Sequence, residues 1–404
     1  MNVISEKKEE TKNSRMPVKI FFIFLLYISS LMSQEFDMDW YRKALVVDPH
    51  SDAILSHIRG RSLEKRSDKG HVDFIRLAEG GVDVQFFALW PSPKYKSENK
   101  MFEWTVTLLD SLQAVVSRNP DKIRLCRTPD EIERTVAENK ICACIGIEGG
   151  TAIENSLDKL VYFYDHGVRY LGLTWNDSPD WASSAKDETD PGWKGEKGLT
   201  DFGRQVIRKM NELGMIVDLS HSGEQTFYDV LKESSKPVIC SHSCVYNICP
   251  HFRNLKDAQL KALAKNGGVI FINFYPGYLV KDFDEVYSMA RKEATAIQDS
   301  LKKTGSKEKF DRAAFIHQRI DPLMPDVGTL VDHIDYVVNL IGDDHVGIGS
   351  DFDGISVTPI GLEDVTKMPE IAKELLRRGY SRKSAEKILG KNFMRVFRAV
   401  SDTK

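Results

Sequence analysis

The sequence predicts an α/β fold, a (β/α)8 barrel of the TIM type built as a single domain with helical insertions. Three observations point there. Eight short apolar runs rich in β-branched residues recur along the chain, helix-like stretches separate them, and the runs end in polar residues. The composition suits such a fold: of 404 residues, 42% are hydrophobic and 28% charged, so wholesale disorder is excluded. Lys plus Arg number 56 and Asp plus Glu 59, a net charge of −3, which gives neither a basic footprint for nucleic acid nor a polybasic membrane patch.

The predicted strands cover residues 44–48, 82–89, 141–147, 168–174, 215–219, 237–241, 269–274 and 346–349. Most are near-continuous hydrophobic runs, the pattern of parallel strands covered on both faces. Helices are expected at 105–118, 156–165, 203–213, 223–233 and 257–265, the last with Asp257 as its N-cap. Between the seventh and eighth strands, 276–327 is long and charged and reads as helical decoration, with 281–309 a solvated helix face. The stretch 176–199 carries Trp181 and Trp193 and reads as a lid over the barrel mouth. Helices at 367–378 and 381–400 close the chain, and the barrel domain runs over 40–400.

The first 33 residues stand apart. Lys19 precedes an apolar run from Ile20 to Ile28, extended by Leu31 and Met32, with Ser29, Ser30 and Ser33 around its end. That order of charged, apolar and small residues reads as a secretory signal, with Met16 an alternative start; the run is shorter than the roughly 20 residues a membrane span needs. The protein is therefore expected to be exported, periplasmic or extracellular, with no stable membrane span after cleavage. Five basic and three acidic residues fall in that segment, so the remainder carries −5. The end Ser401-Asp-Thr-Lys404 has no GPI-type tail. Export permits disulfides, yet Cys126, Cys142, Cys144, Cys240, Cys244 and Cys249 do not form a dense framework. Cys142 and Cys144 read as small buried hydrophobes.

Barrel enzymes carry their chemistry at the C-terminal ends of the strands. Here those ends present His50 and Asp52, Glu148, His221, His242 and Asp351. Residues i and i+2 share a face of an extended chain, so His50 and Asp52 point together. Imidazole with carboxylate suits divalent transition metals, zinc first among them. A carboxylate such as Glu148 can bridge two ions and Asp351 can move a proton. The other seven histidines have no carboxylate partner at a strand end and read mostly as surface residues. Cys240 and Cys244 share strand parity with His242, and inert packing is the favoured reading for both.

The ordered set His50-Ser-Asp52, Ile147-Glu148-Gly-Gly150, Leu219-Ser-His221, Ser241-His242-Ser243 and Gly349-Ser-Asp351-Phe-Asp353-Gly354 resembles the membrane (renal) dipeptidase family of zinc peptidases. The resemblance runs from about residue 40 to 400. It implies two zinc ions, one held by His50 and Asp52 and one by His221 and His242, with Glu148 bridging. It further implies that a metal-bridging hydroxide attacks a dipeptide's peptide bond, with Asp351 as acid/base. Arg253 then matches the arginine that binds the substrate's C-terminal carboxylate, a job suited to a bidentate guanidinium, and Tyr275 lines the pocket. Such a protein takes dipeptides as partners and admits a homodimer. Mammalian relatives carry a His where this chain has Trp175, whose indole donates one hydrogen bond but carries no charge, so Trp175 reshapes the substrate pocket. The rival readings are another binuclear-metal barrel hydrolase (lactonase, β-lactam or phosphoester type) and a non-catalytic metal-binding relative. No Lys at a strand end supplies the alternative bridge, and all six strand-end residues are in place.

Overall fold

The computed structural model describes residues 36–305 and 309–402; the proposed signal segment lies outside them. Nine parallel strands form one sheet: β1 (Val47–Asp48), β2 (Val84–Leu89), β3 (Ile123–Leu125), β4 (Ile141–Glu148), β5 (Val168–Gly172), β6 (Ile216–Asp218), β7 (Ile239–Ser243), β8 (Val269–Ile272) and β9 (Val346–Ile348). Eight of them follow one another around the barrel in chain order, and β3 alone stands off that path, paired to the start of β4. It lies beside the half of β4 that β5 leaves unpaired, since β5 joins only from Ile145 onward. A parallel bridge between Ser51 and Phe352 links the two ends of the sheet. Two backbone bonds stitch that seam, Asp52 N–H to the Phe352 carbonyl at 2.9 Å and Asp351 N–H to the His50 carbonyl at 3.2 Å. Barrel closure thus holds together the segments that carry His50, Asp52 and Asp351.

Each of the eight predicted runs overlaps a barrel strand, with β1 reduced to two paired residues, β7 shifted two residues onward and β3 unforeseen. Side chains alternate between two apolar clusters, as a pleated strand requires. Phe87, Leu89, Ala143, Ile145, Leu171 and Val217 face the helices. Val84, Phe86, Cys142, Cys144, Tyr170 and Ile216 face the barrel axis instead, where Phe393 and Phe397 of helix Asn392–Ser401 close the lower end.

The helices begin where side chains cap them: Ser156, Thr200 and Ser381 each accept a backbone N–H in the first turn, a contact worth about 1 kcal/mol apiece. Asp257 is an exception to the expectation. It is the first helical residue, because Lys256 takes the extended cap conformation and its N–H is satisfied by the Gln259 side chain at 3.0 Å. The decoration between β8 and β9 contains helices Phe283–Lys303 and Arg312–Ile320, which bury Phe283, Ala290 and Ala294 against Ile316 and Ile320. The last predicted helix is interrupted by a π-type turn at Lys387–Lys391. All six cysteines are buried free thiols.

Candidate metal centre and substrate pocket

Every strand-end residue singled out in the sequence converges on Glu148. One carboxylate oxygen, Oε1, lies 2.9 Å from His221 Nε2 and 3.3 Å from His242 Nε2; the other, Oε2, lies 3.7 Å from His50 Nε2. His50 Nε2 is also 3.8 Å from Asp52 Oδ2. Ligand-type atoms of Glu148, His221 and His242 gather within 4.8 Å of one another, and so do those of His50, Asp52 and Asp351. The Nε2 atoms of His50 and His242 are buried without a hydrogen-bond partner, which is costly unless a cation takes their lone pairs. The residues present therefore fit a metal centre, with oxygen and imidazole donors suited to zinc.

Local structure aims each candidate ligand. The sheet carries an irregularity between Cys240 and Ser243, and such an extra residue re-aims the side chains beside it. It lets both Ser241 and His242 turn to the interior, while Cys240 and Cys244 pack among the helix-facing residues; the shared parity expected for these two and His242 does not hold. His221 and Asp351 have φ of 68° and 58°, left-handed conformations uncommon outside glycine and concentrated at functional sites. The far nitrogens of the three rings are also held. His50 Nδ1 meets the Tyr170 hydroxyl at 3.0 Å, and His221 Nδ1 meets Asn176 Oδ1 at 3.1 Å. His242 Nδ1 meets Ser241 Oγ at 2.8 Å, which in turn donates to buried Asp218 at 2.6 Å. Such outer partners fix ring orientation and leave Nε2 for a metal.

Tyr170 reaches His50 because Gly146 lies on the strand beside it. A Cβ at Gly146 would sit 1.9 Å from the tyrosine ring. Gly354 plays a like part in the turn after β9, where a Cβ would meet Asp52 Oδ2 at 2.2 Å and Asp351 Oδ1 at 2.4 Å. Sequence reasoning missed Tyr170, Asn176, Ser241 and Asp218 as ring holders; the only signal was strand parity linking Tyr170 to the interior face.

The electrostatics reflect one carboxylate shared by three imidazoles. Burial works against the charge on Glu148, but His50, His221 and His242 outweigh it and hold its carboxyl well below the usual range. Burial also opposes a charge on His50, yet Glu148, Asp52 and Asp351 raise it to about 10. His221 is lowered to about 4, by burial first and then by nearby Arg253. Burial pushes Asp351 up to about 6, and its Oδ2 accepts a 2.9 Å bond from Asn273.

A cavity of about 360 Å³ opens above the centre, lined by Asp52, Glu148, Asp351, Trp175, Tyr275 and Tyr278 among others. Trp175 packs edge-on against Trp90 at 5.0 Å and lies 6.3 Å from the His221 ring. Arg253 is buried at 3% exposure and forms no ion pair among the described residues. Its Nη2 donates to the His242 carbonyl at 3.0 Å, and Nε has no partner. The remaining histidines correct the sequence reading: only His166 and His317 are exposed. His333 is in the core, and His251 lines the cavity.

A parallel α/β barrel with buried imidazoles and carboxylates gathered at the C-terminal ends of its strands has the layout of a metal-dependent barrel hydrolase. The chain matches the profile of the membrane dipeptidase family (peptidase family M19) over residues 36–404, and it belongs to that family of metallo-dipeptidases. It is 33% identical over 340 residues to Dipeptidase tcpJ of Claviceps purpurea (strain 20.1), covering 82% of this chain and 70% of that one. Two solved structures share the fold. The probable dipeptidase PvdM of Pseudomonas aeruginosa superposes with a TM-score of 0.75 at 22% identity, over 91% of this chain and 98% of that one. A Rhodobacter sphaeroides metallo peptidase, liganded with a phosphinate mimic of the dipeptide L-Ala-D-Ala, gives 0.72 at 24% identity, over 88% and 99%.

Proposed function

We propose that the protein is a zinc-dependent dipeptidase. His50 and Asp52 would hold one ion and His221 and His242 a second, with Glu148 giving one oxygen to each. The observation that carries this reading is Glu148 itself, whose two oxygens face different imidazoles, two of them with orphaned Nε2 atoms. When bound, zinc supplies a water-derived nucleophile at neutral pH and polarises the scissile carbonyl.

The chain's own residues do the rest. Arg253 fixes the dipeptide's free carboxylate with its guanidinium fork. Asp351, oriented by Asn273, takes a proton from the attacking water and returns it to the leaving amine as the C–N bond breaks. Tyr275 and Trp175 wall the pocket, and the bulk of Trp175 selects among substrate side chains. A substrate whose free carboxylate is fixed by Arg253 beside the centre is short, so long peptides are poor substrates. The Rhodobacter structure, liganded with a dipeptide mimic, supports the same size class.

The test is zinc content of the purified protein followed by a panel of dipeptides varying C-terminal stereochemistry, with β-lactams, lactones and phosphoesters alongside. About two metals per chain and dipeptide turnover are the expected result; an inert, metal-free protein would sink the reading. The segment 1–33 is read as a cleaved export signal, tested by N-terminal sequencing of secreted material. Among the described residues no helix is long and apolar enough to cross a membrane.

A further inference from the structure

The insertion between β8 and β9 does more than cover the barrel. Its helix Phe283–Lys303 carries Asp284 in the first turn, and this carboxylate lines the cavity above the metal centre. Asp284 Oδ1 accepts the Tyr275 hydroxyl at 2.5 Å, and Oδ2 lies 3.1 Å from His251 Nε2. The other nitrogen of that ring, His251 Nδ1, accepts the backbone N–H of Arg253 at 3.1 Å. A nitrogen that accepts cannot also carry the proton, so the neutral ring bears it on Nε2, directed at Asp284.

The contacts continue on both sides. The His251 ring packs on Tyr278 at 4.7 Å, and the Arg253 guanidinium lies 5.3 Å from the centre of the same Tyr278 ring. Tyr275 meets Tyr278 edge-on at 4.9 Å, and its N–H donates to Asn273, the residue that orients Asp351. Asp284 therefore ties together the Arg253 segment and the Tyr275 wall, and its side chain keeps 41% exposure.

We infer that Asp284 is a positioning residue for substrate-carboxylate recognition: through His251 it fixes the Arg253 segment, and through its hydroxyl bond it fixes Tyr275. The inference rests on the dipeptidase reading above. Alanine in its place has neither carboxylate oxygen, so both the His251 link and the Tyr275 link are lost.

The test is steady-state kinetics of wild type, Asp284→Ala and His251→Phe, which keeps a ring against Tyr278 but has no nitrogen to bond Asp284 or accept the Arg253 N–H. Each is assayed on a dipeptide and on the corresponding dipeptide amide, with zinc content and Tm measured in parallel. Loss of the charge-assisted link between Asp284 and His251 predicts KM for the dipeptide about tenfold higher in each variant, kcat within about threefold and zinc unchanged. The amide, having no carboxylate for Arg253, shows no such KM rise. The double variant is no worse than the poorer single one, because both changes break one chain of contacts. An unchanged KM in both variants, or an equal KM rise on the amide, overturns the inference while leaving the dipeptidase reading intact. A wild type that turns over no dipeptide overturns both.

Discussion

The two ends of the barrel are built from the same strands and could hardly differ more. At the lower end, Phe393 packs against Phe86 at 4.8 Å and Phe271 at 5.8 Å, with Phe397 beside it, and the contacts are apolar. At the upper end, the strands deliver imidazoles and carboxylates, two of them on left-handed backbone, and Nε2 of His50 and of His242 lacks a hydrogen-bond partner. Tyr170 belongs to both ends: its ring stacks on Phe86 at 5.5 Å while its hydroxyl reaches His50. The difference teaches that the lower end supplies the stability that the strained, polar upper end spends.

The largest expected effect breaks function alone. Asp351→Asn should lower kcat by about 10²–10⁴-fold, the range for loss of a general acid/base, with zinc retained and Tm equal or higher. Retained turnover would remove Asp351 from the proton-transfer role. The converse change is Phe393→Ala, expected to cost about 3–5 kcal/mol of stability in denaturant titration, with kcat/KM of the folded fraction unchanged. A large kinetic effect there would show that the two ends are not separable.

A third expectation concerns pH. His333 is fully buried, its Nδ1 accepting the Val245 N–H at 3.1 Å and its Nε2 facing the Leu279 carbonyl at 3.1 Å, an arrangement only the neutral ring satisfies. Burial lowers it to about 4 from an ordinary 6.5. The unfolded chain then binds the proton first as pH falls. Stability is complete above about 6.5, declines between 6.5 and 4 by on the order of 3 kcal/mol, and loses nothing further from this group below that. His333→Gln should remove this share of the slope; an unchanged slope would assign it elsewhere. The smallest effect sharpens the boundary: Tyr170→Phe keeps the ring and loses the hydroxyl. It should weaken metal affinity by about 10–100-fold in chelator competition, with Tm little altered.

How much of this was legible in the sequence follows from what each feature depends on. Strands buried on both faces announce themselves as unbroken apolar runs, so the barrel could be read. β3 could not, because Ile123-Arg-Leu125 is short and mixed. The metal-type residues were visible by chemistry and position at strand ends. The irregularity in β7 was invisible, having no Gly or Pro to mark it, and it defeated the parity argument for Cys240 and Cys244. The mostly-surface reading of the seven other histidines did not single out His333, although Leu330, Ile334 and Val337 share its buried helix face in a 3.6-residue pattern. The link from Asp284 through His251 to Arg253 joins segments some 30 residues apart through side chains alone, and no local pattern encodes it.

The most direct test of the central claim is anomalous diffraction at the zinc edge from crystals of the zinc-loaded protein. Two peaks are predicted, one against each oxygen of Glu148, the first beside His50 and Asp52 and the second beside His221 and His242. A single peak, or peaks away from Glu148, would contradict the shared-carboxylate centre.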